Sequence, residues 1–159
     1  MFTFYILLGF LVCNIHAFNY VSRNSSSQHW FKIEGKEYFV EESFKGNYLT
    51  ALHYCNYHKM QLVALESKEE NDALLQQLKS TLSSYAEFWS AGSRQANERD
   101  WVWMSTGRPI NVFDWGTGEP NNEGDEKCIS LYYKNYSHGW WNDENCNNEI
   151  AVICETRDC

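Results

Sequence analysis

Beyond its first 17 residues the chain lacks any uncharged apolar run long enough to cross a bilayer. Basic residues are scarce: 13 Lys and Arg against 21 Asp and Glu leave a formal net charge of -8. Those first 17 residues carry no charged side chain, so the remainder holds the whole imbalance. Such a balance argues against nucleic-acid partners and against anionic membrane surfaces, and fits a surface that takes up cations. None of the six cysteines stands in a Cys-x-x-Cys pair, which argues against a zinc site. No stretch repeats itself, so the 159 residues form one domain with a single core.

What is present begins with Met1 to Ala17, apolar but too short to span a membrane and closed by a small residue. This segment is expected to be a signal peptide, 1–17, although it carries no Lys or Arg near its start. Secretion follows, and disulfides with it. Loss of Cys13 with the signal leaves Cys55, Cys128, Cys146, Cys154 and Cys159. Five is odd, and Cys159, the last residue, is the one expected to form an intermolecular bond. Four internal cysteines allow three connectivities, among which spacing cannot choose. Residues 18–28 are polar and read as a leader, with a glycosylation sequon at Asn24. A second sequon lies at Asn135.

From Trp30 the pattern becomes aromatic and alternating. Lys36 to Val40 reads as a strand. Asn47 to Met60 reads as a helix, with Ala51, Leu52, Cys55 and His58 at helical spacing. Leu62 to Leu65 is a short buried strand. Ser67 and Glu70 form a capping box, and the helix they open buries Leu74, Leu75, Leu78 and Leu82. Short strands follow around Phe88-Trp89, Trp101-Val102-Trp103, Cys128 to Leu131, Gly139 to Trp141 and Ala151 to Cys154. Two helices ahead of a strand-and-loop half predict an α+β domain. The loop from Asn111 to Lys127 is long for a compact domain, and such loops tend to be functional.

That loop concentrates hard oxygen donors. Glu119, Asn121, Asn122, Glu123, Asp125 and Glu126 stand close together, and Asn142 and Asp143 follow. Calcium takes six to eight oxygens at roughly 2.3–2.6 Å from such a mixture. A solvated acidic loop has the same composition.

The order of these elements resembles the C-type lectin domain family, over Trp30 to Glu155. The residues that carry the resemblance are the first helix with Cys55, Leu62 to Leu65, Phe88-Trp89, Trp101-Val102-Trp103, Glu119-Pro120-Asn121, Cys128, Trp141-Asn142-Asp143, Cys146 and Val152 to Glu155. The stretch from Asp114 to Asn121 and the run at 105–109 are similar to insect secreted lectins. The resemblance implies a C-type lectin fold over 29–156, with two helices, small antiparallel sheets and long calcium loops, and a tail at 157–159. It implies bridges Cys55–Cys154 and Cys128–Cys146. It implies one Ca2+ held by Glu119, Asn121, Glu126, Asn142 and Asp143, with a cis bond before Pro120, and sugar hydroxyls completing the shell. It further implies no catalysis.

Glu-Pro-Asn is similar to members preferring mannose, fucose or N-acetylglucosamine, with galactose as the alternative and recognition of microbial or cell-surface glycans (an innate-immunity role) as the setting. A protein-binding module that has lost sugar binding is the competing reading. A glycosidase using Glu119 and Asp143 is the third, and lacks the expected deep cleft. Arg94 and Lys127 stand where an auxiliary calcium site of the family has acids. They are expected to abolish a second ion, with Arg94 pairing to Glu98 or Glu126. Trp101, Trp103, Trp115 and Trp141 read as core. Trp140 and Tyr132 are candidates for contacting a longer glycan.

Overall fold

The structure is a computed structural model that describes residues 26–133 and 140–157. The signal segment, both sequons (Asn24 and Asn135) and Cys159 lie outside the described residues.

The first strand is β1, Gln28–Ile33, in the stretch where the polar leader gives way to the aromatic, alternating pattern. It pairs antiparallel with β2, Lys36–Gly46, through Ile33↔Lys36. The two residues between them, Glu34 and Gly35, have φ of 49° and 93°. Positive φ at both central positions is what a tight hairpin turn with the right twist requires, and glycine takes it without strain.

Asn47 caps helix α1, Tyr48–Tyr57, by accepting the Thr50 N–H at 3.0 Å. The helix stops before Met60 because Lys59 turns left-handed, at φ 62°, and the Met60 N–H returns to the Cys55 carbonyl at 2.9 Å. Strand β3, Gln61–Leu62, follows, with Leu62 to Leu65 all buried.

Helix α2, Lys68–Thr81, starts at Ser67, whose hydroxyl accepts the Glu70 N–H at 3.1 Å. The return half of the capping box is diverted. Glu70 accepts the N–H of Glu66 at 3.0 Å, the Tyr38 hydroxyl at 2.6 Å and Lys36 at 2.6 Å. The helix buries Leu74 and Leu78, with Leu82 at its end. It also buries Asn71, a polar residue that hydrophobic spacing could not flag.

The remaining strands are β4, Ala86–Ser93; β5, Val102–Trp103; β6, Cys128–Tyr133; β7, Trp141–Glu144; and β8, Ile150–Glu155. All eight described strands join one sheet, in the order β1-β2-β8-β4-β6-β7, with β3 on β8 and β5 on β4. The expected small antiparallel sheets are thus continuous. The link is a parallel pairing of β4 with β8, Phe88↔Ala151 and Trp89↔Val152. Because β8 lies beside β2, the two ends of the domain meet at the centre of the sheet.

Cys55 is bonded to Cys154 and Cys128 to Cys146, 99 and 18 residues apart. The first ties α1 to β8, and in the chain-entropy account a loop of that length is worth about 4–5 kcal/mol. The second holds the start of β6 to the turn after β7. The Cys146 carbonyl in turn accepts the Tyr48 N–H at 3.0 Å, joining that turn to α1.

Candidate functional site

The loop after Trp103 is pinned at both ends. The Asp114 carbonyl accepts the N–H groups of Trp140 and Trp141 at 2.9 and 3.0 Å, and Gly116 donates to the Trp141 carbonyl at 2.8 Å. A Cβ on Gly116 would stand 3.4 Å from that carbonyl, about van der Waals contact, so the approach itself does not require glycine. Farther along, the Asn145 amide donates to the Gly124 carbonyl at 2.8 Å.

Two tryptophans are fixed from below. Asn71 Oδ1 accepts the indole N–H of Trp140 at 2.7 Å and of Trp141 at 2.8 Å, and its Nδ2 donates to Asp114 Oδ2 at 2.8 Å. One amide on α2 thereby ties β7 to the loop facing it. Trp140, 2% exposed and bonded inward, is core rather than a glycan contact. Tyr132 packs against Tyr85 at 4.9 Å between ring centres. Trp103 and Trp141 are buried, and Trp101 and Trp115 pack against that core while half-exposed.

Within this frame the Glu119–Pro120 bond is cis. The Asn121 amide donates to Glu119 Oε2 at 2.7 Å, so these two side chains face one another. Asp143, on β7 and wholly buried, accepts the N–H of Asn121 at 2.8 Å through Oδ1 and that of Asn122 at 2.9 Å through Oδ2. Glu126 Oε2 and Asn121 Oδ1 accept the same N–H, from Glu123, at 3.0 and 2.7 Å. Glu119, Asn121, Glu126 and Asp143 are therefore knit together. Asn142 is not bonded to them, and its amide lies 3.4 Å from Glu144 Oε2.

The carboxylates crowd one another. Burial, then the charges of Asp143 and Glu144, push Glu126 up to about 7. Burial and the Asp143 charge likewise raise Glu119. Glu144 was not among the residues read from the sequence, although it directly follows Asp143. Among the described residues, no three Asp, Glu, His or Cys side chains are gathered closely enough to hold an ion by themselves. Two of the five expected donors are amides, and both Asp143 oxygens accept backbone N–H groups.

The two cations beside the loop choose other partners than expected. Arg94 Nη2 bonds Asn122 Oδ1 and the Glu126 backbone carbonyl, the latter at 2.9 Å, and lies 3.7 Å from Asp143 Oδ2. It reaches neither the Glu98 nor the Glu126 carboxylate, and Lys127 instead pairs with Glu98 at 2.8 Å and Asp125 at 2.9 Å. Asp143 has both oxygens engaged, and surface cavities of about 270 and 230 Å3 are lined by other residues, around Tyr85 and Trp103 respectively.

The profile of the family described as the Lectin C-type domain matches residues 45–156. Horse E-selectin is 36% identical over 109 residues, 67% of this chain but 17% of the selectin's length. The chain thus spans a small part of that relative. The C-type lectin mosGCTL-7 of Aedes aegypti is 30% identical over 127 residues, 77% of this chain and 84% of its own length. Among solved structures, the cow CD23 carbohydrate-recognition domain, crystallised in the presence of a GlcNAc2Man3 oligosaccharide, superposes with TM-score 0.66 at 26% identity. That superposition covers 82% of this chain and 95% of the other.

Proposed function

The chain belongs to the C-type lectin domain family, and from that premise we propose that it is a secreted, calcium-dependent glycan-binding lectin. A relative named as a C-type lectin and a carbohydrate-recognition domain among the solved structures support a non-enzymatic, glycan-binding reading. The observation that carries the calcium reading is the mutual arrangement of Glu119, Asn121 and Asp143.

The donors fit such an ion. Glu119, Asn121, Glu126, Asn142 and Asp143 offer carboxylate and amide oxygens and no soft ligand. Burial raises Glu119 and Glu126, the Asp143 charge raises them further, and a divalent cation would relieve that crowding of carboxylates. Calcium, when bound, supplies a Lewis-acidic centre for two neighbouring sugar hydroxyls. The Glu119 carboxylate accepts from such a hydroxyl and the Asn121 amide donates to one, an order that supports mannose, fucose or N-acetylglucosamine over galactose. Microbial or cell-surface glycans are the natural targets of a secreted protein with this chemistry. A disulfide through Cys159 would pair two chains and multiply avidity by roughly 10²–10⁴ where both sites engage one surface.

Calorimetric titration should find one calcium per chain, and the protein should elute from immobilised mannose with EDTA. Two tight calcium sites, or retention indifferent to EDTA, would contradict this reading. The latter result would make the domain a protein-binding module. Non-reducing electrophoresis of wild type against Cys159→Ser tests the covalent pair.

A further inference from the structure

Asp143 is wholly buried, and it is a carboxylate. Removing such a charge from water is costly unless other groups compensate it. Two backbone N–H groups do part of this, those of Asn121 and Asn122. Among the described residues, Arg94 is the one basic side chain paired with it, at 3.7 Å.

Arg94 is itself held in place. Its backbone N–H donates to the Lys127 carbonyl at 2.9 Å, at the end of β4. Its guanidinium lies over the Trp101 ring, 5.0 Å from the centroid. Trp101 packs on Trp115 at 5.3 Å, and Trp115 on Phe113 and Trp141 at 5.7 and 6.0 Å. The charge is therefore set by an aromatic stack that continues into the core. From that position it grips both limbs of the loop, Asn122 by its side chain and Glu126 by its carbonyl. Asp143 holds the first of those limbs through the N–H groups of Asn121 and Asn122.

We infer that Arg94 is a fixed internal cation that holds the Glu119–Glu126 loop in its ion-binding shape before calcium arrives. It is a positioning residue, not a ligand, and the inference rests on the calcium reading proposed above. A planar guanidinium suits the task. Its Nη2 alone donates to the Asn122 side chain and the Glu126 carbonyl and stands 3.7 Å from Asp143, while the flat face of the group lies over Trp101.

A sharp test exists because two effects of Arg94 on calcium have opposite signs. Its positive charge repels the incoming ion, so by Coulomb's law alone Arg94→Ala should tighten calcium binding. Its grip on the loop predicts the reverse. Supporting groups around metal ligands typically govern about 10–100-fold in affinity, and we expect Arg94→Ala to weaken calcium by that factor. Arg94→Lys keeps the charge and loses the planar group that lies over Trp101, and should recover part of the affinity.

The second readout needs no calcium. In EDTA, amide hydrogen exchange at Asn121 and Asn122 should accelerate in Arg94→Ala, while the amides of β8 keep their wild-type rates. Calcium binding as tight as wild type or tighter in Arg94→Ala overturns the inference, as does unchanged exchange at the two loop amides. Should wild type take up no calcium, the function proposed above fails, and the exchange measurement alone then decides whether Arg94 positions the loop.

Discussion

The Asp143 carboxylate accepts the backbone N–H of Asn121 at 2.8 Å across 22 residues of chain. That bond, with its twin to Asn122, makes Asp143 both an expected ligand and the anchor of the loop. Asn142 beside it carries no such burden, its amide reaching only toward Glu144. The two substitutions should therefore behave differently. Asn142→Ala is expected to abolish calcium and sugar binding while changing stability by less than about 1 kcal/mol. Asp143→Asn should abolish binding and also cost about 1–3 kcal/mol, because a buried charged acceptor is weakened. Binding to immobilised mannose and urea unfolding followed by circular dichroism separate the two effects. An Asn142→Ala protein that no longer folds would show that the site is structural.

Sugar preference should follow the Glu119 and Asn121 pair. Their side chains meet through an amide donor and a carboxylate acceptor 2.7 Å apart. The double change Glu119→Gln with Asn121→Asp exchanges donor and acceptor while leaving the shape of both residues. The diol geometry satisfied at the site should reverse, shifting retention from mannose towards galactose. Competition of each monosaccharide against a mannose resin measures it, and an undiminished mannose preference would contradict the roles given to these side chains.

The sequence pattern was most informative where local rules act alone. Ser67 and the leucines at 74, 78 and 82 announce α2, and the apolar run at 151–154 announces β8, because helix capping and burial leave marks on consecutive residues. It was silent where the partner is far away. The Trp89↔Val152 pairing joins strands more than sixty residues apart and is invisible to periodicity. Glu70 looks like half of a capping box, yet Lys36 and Tyr38 claim its carboxylate from another strand. Arg94 shows the same limit at the site. Its charge said that a second ion was disfavoured, but its partners depend on how the loop folds back over β4.

Asn71 is the clearest residue of this silent kind. Its side chain is buried on α2 and bonds Trp140, Trp141 and Asp114, 43 to 70 residues away. Asn71→Leu would leave two indole N–H groups and one carboxylate oxygen without this partner inside the protein. At about 1–3 kcal/mol for each buried polar group left unsatisfied, the loss should reach several kcal/mol. Because the same bonds fix β7 against the loop, calcium affinity should fall as well. Thermal unfolding with and without calcium would show both. A variant of wild-type stability would mean that the network is not what holds the two tryptophans.

The last prediction concerns Glu155, at the end of β8 and wholly buried. Its Oε1 accepts the Gln61 amide at 2.9 Å and the Ala64 N–H at 3.2 Å, and Lys36 Nζ lies 3.2 Å from Oε2. Burial outweighs these partners and pushes the carboxyl up to about 7 from an ordinary value of 4.5. The folded state thus holds a proton that the unfolded state releases in that interval, so Glu155 favours folding at low pH and loses this contribution as pH rises through about 7. At about 1.4 kcal/mol per unit of pKa, the whole effect is about 3 kcal/mol. Glu155→Gln, shaped like the protonated acid, removes it. Measured in EDTA so that calcium does not contribute, wild-type stability should gain on that of Glu155→Gln by this amount between about pH 8 and pH 4.5. Taking the difference cancels the other raised carboxyls, Glu119 and Glu126 included, because both proteins carry them. A gap that stays constant across the window would mean that Glu155 is ionised throughout, with Lys36 stabilising its charge more strongly than burial opposes it.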